Sequence, residues 1–340
     1  MSQLHLSCPI EYPVEHPFAK FVQILGKGKR GARDLTQEEA YVAMSMILSA
    51  QVEPVQLGAF LMLMRVKEES AEEVAGFTQA ARELIIRPTL PTGVNLDWAS
   101  YAGKRRQLPW YLLSALLLAS HNIRVLMHGI CGGSEGRIYI LQALHSLGLK
   151  PANSLEEASA QISQSNFAFI PLSALSNDLD RMLNLKSLLG LRSPIHTVVR
   201  MLNPLNATTS IMGIFHPGYD ETHQRAASLL GDTNLAVFKG EGGEAERNPD
   251  AVCKVRLLLE GVALEEEWPA LFSNKHLRDE AMDVSKLGKL WHDEIEDEYG
   301  KASVLGTTAI ALLAMGRASS PEDAEAKAAQ LWINRNHAYL

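Results

Sequence analysis

The rhythm of hydrophobic and polar positions changes once along the chain. From Phe18 to Arg87 apolar residues recur three and four apart, in FAKFVQIL, TQEEAYVAMSMILSA, PVQLGAFLMLMRVK and SAEEVAGFTQAARELI. That spacing lays an apolar stripe along an α-helix, so the segment is predicted to be all-helical. Thr36 with Glu39, and Ser70 with Glu73, have the reciprocal spacing of a capping box and mark two helix starts. Beyond Pro88 and Pro91 the runs shorten and become β-rich. Residues 123–129, 166–172, 209–215, 235–240 and 252–259 read as strands, and a further strand ends near Ser100. WYLLSALLLAS, EGRIYILQALHSLG, SLEEASAQIS and ETHQRAASLLG fit helices between them, and three more helical segments, starting with VSKLGKLW, close the chain.

Strands alternating with helices predict an α/β fold, an α/β/α unit with a mainly parallel sheet. Residues 173–202 carry a helical pattern longer than one crossover needs. They are read as rejoining the N-terminal module. The expected division is a helical domain of 1–93 with 173–202, and an α/β domain of 94–172 with 203–340.

At 340 residues and 46% apolar content the chain has ample core for this plan. The net charge of -7 removes any general attraction to nucleic acid, so such binding would have to come from local patches. Cys8, Cys131 and Cys253 are scattered without CxxC spacing. This argues against a disulfide framework or zinc site and fits a reducing compartment. The longest apolar run, 108–119, is short of the roughly 20 residues that span a bilayer. With no signal-peptide pattern at the N-terminus, a cytoplasmic protein without a membrane partner is expected.

Three basic clusters stand out. GKGKRGARD carries Lys27, Lys29, Arg30 and Arg33 between two helices; SYAGKRRQLPWY carries Lys104, Arg105 and Arg106; LRSPIHTVVR carries Arg192, His196 and Arg200 at helical spacing. A helix beginning at Pro109 would add N-terminal N–H groups to the second cluster, making an anion site by dipole and charge. Each cluster also has a plainer reading as solvated surface, which the spacing favours for the first and the third. Tyr101 and Trp110 flank the second cluster and could stack on bases or fill the core. Gly132 and Gly133, with Ser134 as an N-cap, suit a tight strand-to-helix turn beside His128. Glu241, Glu244 and Glu246 follow a strand in KGEGGEAERNPD, where carboxylates could hold Mg²⁺ with a substrate phosphate or merely keep a loop polar. No HExxH or P-loop pattern occurs, and the SYAGKRRQ loop lacks the GxGxxG spacing of a dinucleotide fold.

The order of these pieces resembles glycosyltransferase family 3 over nearly the whole chain, with the nearest likeness to anthranilate phosphoribosyltransferase. GKGKRGARDL, SYAGKRRQ and GEGGE followed by Asn248-Pro249 are similar to a branch of that family typified by YbiB, whose members bind nucleic acid. The resemblance also shows departures from the enzymes. Where they have GTGGD to hold phosphoribosyl pyrophosphate, this chain has YAGKRRQ. Where they have KHGNR, it has Met127, His128, Gly129, Ile130 and Cys131. The magnesium-binding Asp-Glu pair falls at Glu244 and Ala245, and His196 stands in place of an Asn although Arg192 matches an arginine near the aromatic acceptor.

The resemblance therefore implies a non-catalytic binder of nucleic acid, preferentially single-stranded. It would be a homodimer through its N-terminal helices, with the three basic clusters lining one groove and no cofactor. The alternatives are an active phosphoribosyltransferase using phosphoribosyl pyrophosphate and Mg²⁺ through Glu244 and Glu246, and a sensor of a small phosphorylated metabolite.

Overall fold

A computed structural model describes residues 14–28, 30–89 and 93–340. Lys29 and Cys8 lie outside them. Four helices come first: α1 (Ala19–Gly26), α2 (Gln37–Leu48), α3 (Pro54–Lys67) and α4 (Ala71–Glu83). Both expected capping boxes form, Thr36 with Glu39 and Ser70 with Glu73 each closing reciprocally. The α/β part then runs β1 (Leu96–Ser100), α5 (Tyr111–Ser120), β2 (Val125–Gly129), α6 (Ile140–Ser146), α7 (Leu155–Ser165) and β3 (Phe167–Pro171).

After β3 the chain turns through α8 (Leu172–Leu175), α9 (Asn177–Asn184), α10 (Lys186–Leu189) and α11 (Ile195–Val198). It returns as β4 (Thr209–Ile214), α12 (Tyr219–Leu229), β5 (Leu235–Lys239), β6 (Cys253–Leu259) and β7 (Val262–Trp268), and ends in α13 (Ser285–Trp291), α14 (Glu298–Ala314) and α15 (Pro321–Ile333).

The seven strands form one sheet in the order β3-β2-β1-β4-β5-β6-β7. β1 to β5 are parallel, and β6 and β7 add antiparallel to one side. Chain order runs outward in both directions from β1 and β4, so the sheet has a topological switch between them. Ligands of such sheets gather beyond the carboxyl ends of the strands at that switch.

One face of the sheet packs on α5, α14 and α15 around Trp98, Trp110, Trp268 and Trp291. The other packs Leu126, Ala168 and Ile170 against residues of α1–α4 and against Leu179, Met182, Ile195, Val198 and Leu202. Residues 172–202 thus share a core with the N-terminal helices.

Three local expectations are corrected. The 173–202 segment is not a continuous helix: Ser176 is extended, Gly190 takes φ +75°, and Pro194 restarts the chain, leaving four short helices. The helix after β2 starts at Ile140 rather than near Ser134. Residues before it are drawn into a bridge in which Lys104 N–H and Ile138 N–H each donate to the other's carbonyl, at 2.7 and 2.8 Å. The helix after β1 starts at Tyr111, not Pro109. β7 carries three consecutive glutamates on an exposed edge, a polar run with no apolar alternation to mark it as a strand.

Candidate functional site: the loops beyond the strand ends

Gly129 ends β2 against Ser100, where a Cβ would lie 1.8 Å from the Ser100 carbonyl oxygen. This close approach brings the loops after β1 and β2 side by side. The β1 loop, Tyr101 to Arg106, is fixed from three directions. Arg137, from the β2 loop, donates through Nη1 to the carbonyls of Ala102 and Gly103 at 3.0 and 2.8 Å. The N–H groups of Ala102 and Gly103 both donate to Oε1 of Glu244, at 2.7 and 2.5 Å. A carboxylate of the chain itself thus fills the small amide nest that an anion would otherwise occupy.

Lys104 is fully buried. Its ammonium pairs with Glu246 at 2.5 Å and with Glu241. Burial works against the charge, but Glu246 and Glu241 outweigh it and raise the pKa above the ordinary lysine value. The second Glu246 oxygen accepts from the Tyr111 N–H at 2.9 Å, so this carboxylate also closes the start of α5. Burial pushes the Glu246 carboxyl up to about 7, with Lys104 acting in the opposite direction. Burial likewise raises Glu244, against the two backbone amides.

The acidic loop can adopt this shape because of two glycines. A Cβ on Gly240 would sit 1.6 Å from the Glu244 carbonyl oxygen, and one on Gly213 would sit 2.1 Å from the Glu244 carbonyl carbon.

The sequence-predicted cations divide sharply. Lys104 offers no charge to solvent, contrary to its expected role as a phosphate contact. Arg105 and Arg106 are exposed, as are Lys27 and Arg30; none of these four is ion-paired among the described residues. Arg33 is exposed but held by Glu39 in a two-bond pair, at 2.6 and 2.7 Å. Arg192, His196 and Arg200 do converge. They line a cavity with Arg65, Ser193 and His223, and Arg192 and His196 also line a neighbouring one with Ala102, Gly133 and Lys186. His196 is not a cation there: burial, with Arg200 and Arg192 nearby, pushes its pKa down to about 3. Lys27, Arg30 and Arg33 line neither cavity.

Tyr101 and Trp110 are core residues at 3% and 1% exposure, which removes them as stacking platforms. His128 is also buried, its Nδ1 2.7 Å from the Tyr101 hydroxyl and its Nε2 3.3 Å from Asp97. Nor do the acidic residues suit a metal with a diphosphate ligand. Both oxygens of Glu246 and one of Glu244 are already engaged, and no cluster of three ligating side chains that could hold a metal occurs among the described residues. Phosphoribosyl pyrophosphate with Mg²⁺ therefore does not fit the residues present. Sequence reasoning missed Arg65, Arg137 and His223, which carry no motif; Arg65 reads as an ordinary cation in the last turn of α3.

A helical lobe over a switch-point sheet, with glycine-bearing loops at the strand ends, is the plan of glycosyltransferase family 3. Residues 22–85 match the family model described as "Glycosyl transferase family, helical bundle domain". The anthranilate phosphoribosyltransferase of Caldivirga maquilingensis is 29% identical over 92% of this chain and 94% of its own. YbiB of Escherichia coli (strain K12) is 26% identical over 71% of this chain and 76% of its own. The crystal structure of anthranilate phosphoribosyltransferase from Thermus thermophilus superposes with a TM-score of 0.76, at 21% identity and 94% coverage of both chains. The chain belongs to the anthranilate phosphoribosyltransferase-like branch of glycosyltransferase family 3. No helix among the described residues is long and apolar enough to cross a membrane.

Proposed function

We propose that this chain is a non-catalytic nucleic-acid-binding protein built on a transferase fold. The observation that carries the reading is Glu244 seated on the Ala102 and Gly103 amides, with Lys104 drawn into two carboxylates beside it. A pyrophosphate donor would need those amides and a free cation, and stabilising the departing pyrophosphate is where such an enzyme gains its rate. With that position filled, Lys27, Arg30, Arg105 and Arg106 offer unpaired charge at the surface. Phosphate contacts act locally, since charges more than about 8 Å apart are screened at physiological salt. A net charge of -7 therefore does not prevent them. Arg192 at the cleft adds a further contact, and Lys29 is close to Lys27 in the sequence. The buried aromatics leave base stacking without a platform, so the contacts are to the backbone and independent of sequence.

The test is oligonucleotide binding across a salt series, with wild type and Arg105→Ala/Arg106→Ala. Each lost contact makes the slope of log K against log[salt] shallower by about 0.7 for single strands or about 0.9 for duplex. An unchanged slope removes the loop from the interface. Magnesium-dependent consumption of phosphoribosyl pyrophosphate with an aromatic amine acceptor would overturn the non-catalytic reading.

A further inference from the structure

Arg65, Arg192 and Arg200 surround a cavity of about 90 Å³ under the end of β4. None of the three is ion-paired among the described residues. Arg200 gives Nε to the Gly213 carbonyl at 3.2 Å and Nη1 to the His196 carbonyl, which leaves Nη2 free. Its pKa is pushed down to about 10 by burial, with Arg192 adding to the effect while Glu244 opposes it. Arg192 and Arg200 are partly desolvated and make no ion pair, which is costly, and a bound anion offsets that cost.

The same wall holds two unpartnered polar atoms. Ser193 Oγ and His223 Nε2 are buried without a hydrogen bond, in residues 6% and 2% exposed. His223 Nδ1 lies 2.6 Å from the Tyr219 carbonyl oxygen, which can only accept, so Nδ1 carries the ring proton and Nε2 carries a lone pair. Burial keeps the ring neutral by lowering its pKa to about 4. Glu69, accepting from the Tyr219 hydroxyl at 3.3 Å, adds a second acceptor to the lining. The cavity therefore presents guanidinium donors together with acceptors that require an O–H.

We propose that this cavity binds a protonated phosphate group, its anionic oxygens on Arg65, Arg192 and Arg200 and a P–OH donated to His223 or Glu69. Sulfate matches the charge but carries no proton at neutral pH, so it leaves those acceptors unpaired and is discriminated against. The phosphate is either a free small phosphate or the terminal 5′-phosphate of an oligonucleotide. The site shares Arg192 with the functional reading but none of its surface cations Lys27, Arg30, Arg105 and Arg106, so either can fail without the other.

The full chain is titrated with inorganic phosphate, and separately with sulfate, at constant ionic strength in a phosphate-free buffer, read by calorimetry and thermal midpoint. Saturable phosphate binding at least tenfold tighter than sulfate is expected. Arg65→Met and Arg192→Met, both at partly exposed positions, should each weaken it tenfold or more, and His223→Gln should narrow the gap to sulfate. Equal responses to phosphate, sulfate and chloride overturn the proposal, as does phosphate binding that survives the double arginine variant. Should the variants unfold, wild type decides alone: ³¹P line broadening must be relieved by arsenate, which keeps the proton, and not by sulfate. Oligonucleotides with 5′-phosphate or 5′-hydroxyl ends identify the source. Displacement of phosphate by the first alone assigns the polymer end; displacement by neither assigns a free phosphate.

Discussion

Lys104 and Arg105 are neighbours in sequence with opposite surroundings, so replacing each with methionine separates a structural cation from a surface one. Lys104→Met leaves Glu246 and Glu241 facing each other with no ammonium between them. Removing one partner of a buried pair costs about 3–5 kcal/mol, and the variant can reduce this only by taking up a proton. Burial already raises the Glu246 carboxyl to about 7, and Lys104 is the group that lowers it. In the variant it rises further. Above pH 7 each additional pH unit then costs about 1.4 kcal/mol until the new pKa is reached. The sign follows from linkage: a group bound to a proton in the folded state and free of it in the unfolded state loses stability as pH rises. Urea unfolding at pH 6.5 and pH 8 should show a deficit for Lys104→Met about 1.3 kcal/mol larger at the higher pH, whereas Arg105→Met stays within about 0.5 kcal/mol of wild type at both. A Lys104→Met deficit that matches Arg105→Met, or does not change with pH, would refute the buried pair.

Gly240→Ala forces a Cβ onto the Glu244 carbonyl, and overpacking of this kind costs about 1–3 kcal/mol; chemical denaturation reads it, and a neutral result would mean the acidic loop does not sit as described. His223 has its pKa lowered from 6.5 to about 4 by burial, so its contribution is present above pH 6.5 and lost as pH falls through 4. Measured against His223→Gln, wild type should lose up to about 3 kcal/mol over that window, and a pH-independent difference counts against a buried neutral ring. The homodimer expected through the N-terminal helices would cover the apolar edge that Leu48, Val52 and Leu57 form with Leu188, which is 82% exposed. Leu188→Asp should shift sedimentation to the monomer if that edge is the interface, and an unchanged profile sends the interface elsewhere.

Period and punctuation made much of this fold legible. The N-terminal helices declare themselves through capping boxes that the structure closes at Thr36 and Ser70. Four of the five strands read from apolar runs, β2 to β5, show as such because a parallel strand is buried on both faces. β1 is harder to delimit because Asp97 sits inside it, fully buried. The helix expected over 173–202 breaks for a tertiary reason: Leu179, Met182, Ile195 and Val198 all reach one core, and a straight rod could not bring them there. At the site, charge was visible but its destination was not. KRR reads as three equivalent cations, and only the pairing of Lys104 with residues 137 and 142 positions away distinguishes the first from the others.

That pairing also bears on whether the amide nest can be vacated. Hydrogen bonds to a charged group contribute about 1.5–3 kcal/mol each, and Glu244 accepts two from the β1 loop. An incoming pyrophosphate could replace those two bonds, but the displaced carboxylate would need somewhere to go. Its backbone lies against Gly213 and Gly240 with no room for a Cβ, and Glu246 two residues later is tied to Lys104 and to the Tyr111 N–H. Moving Glu244 far enough therefore breaks the Lys104 cluster and uncaps α5 at the same time. The same cluster draws one cation of the KRR run inward and leaves Arg105 and Arg106 at the surface. One set of contacts thus fills the amides of the β1 loop and leaves Arg105 and Arg106 as unpaired surface charge, the two features on which the proposed function rests.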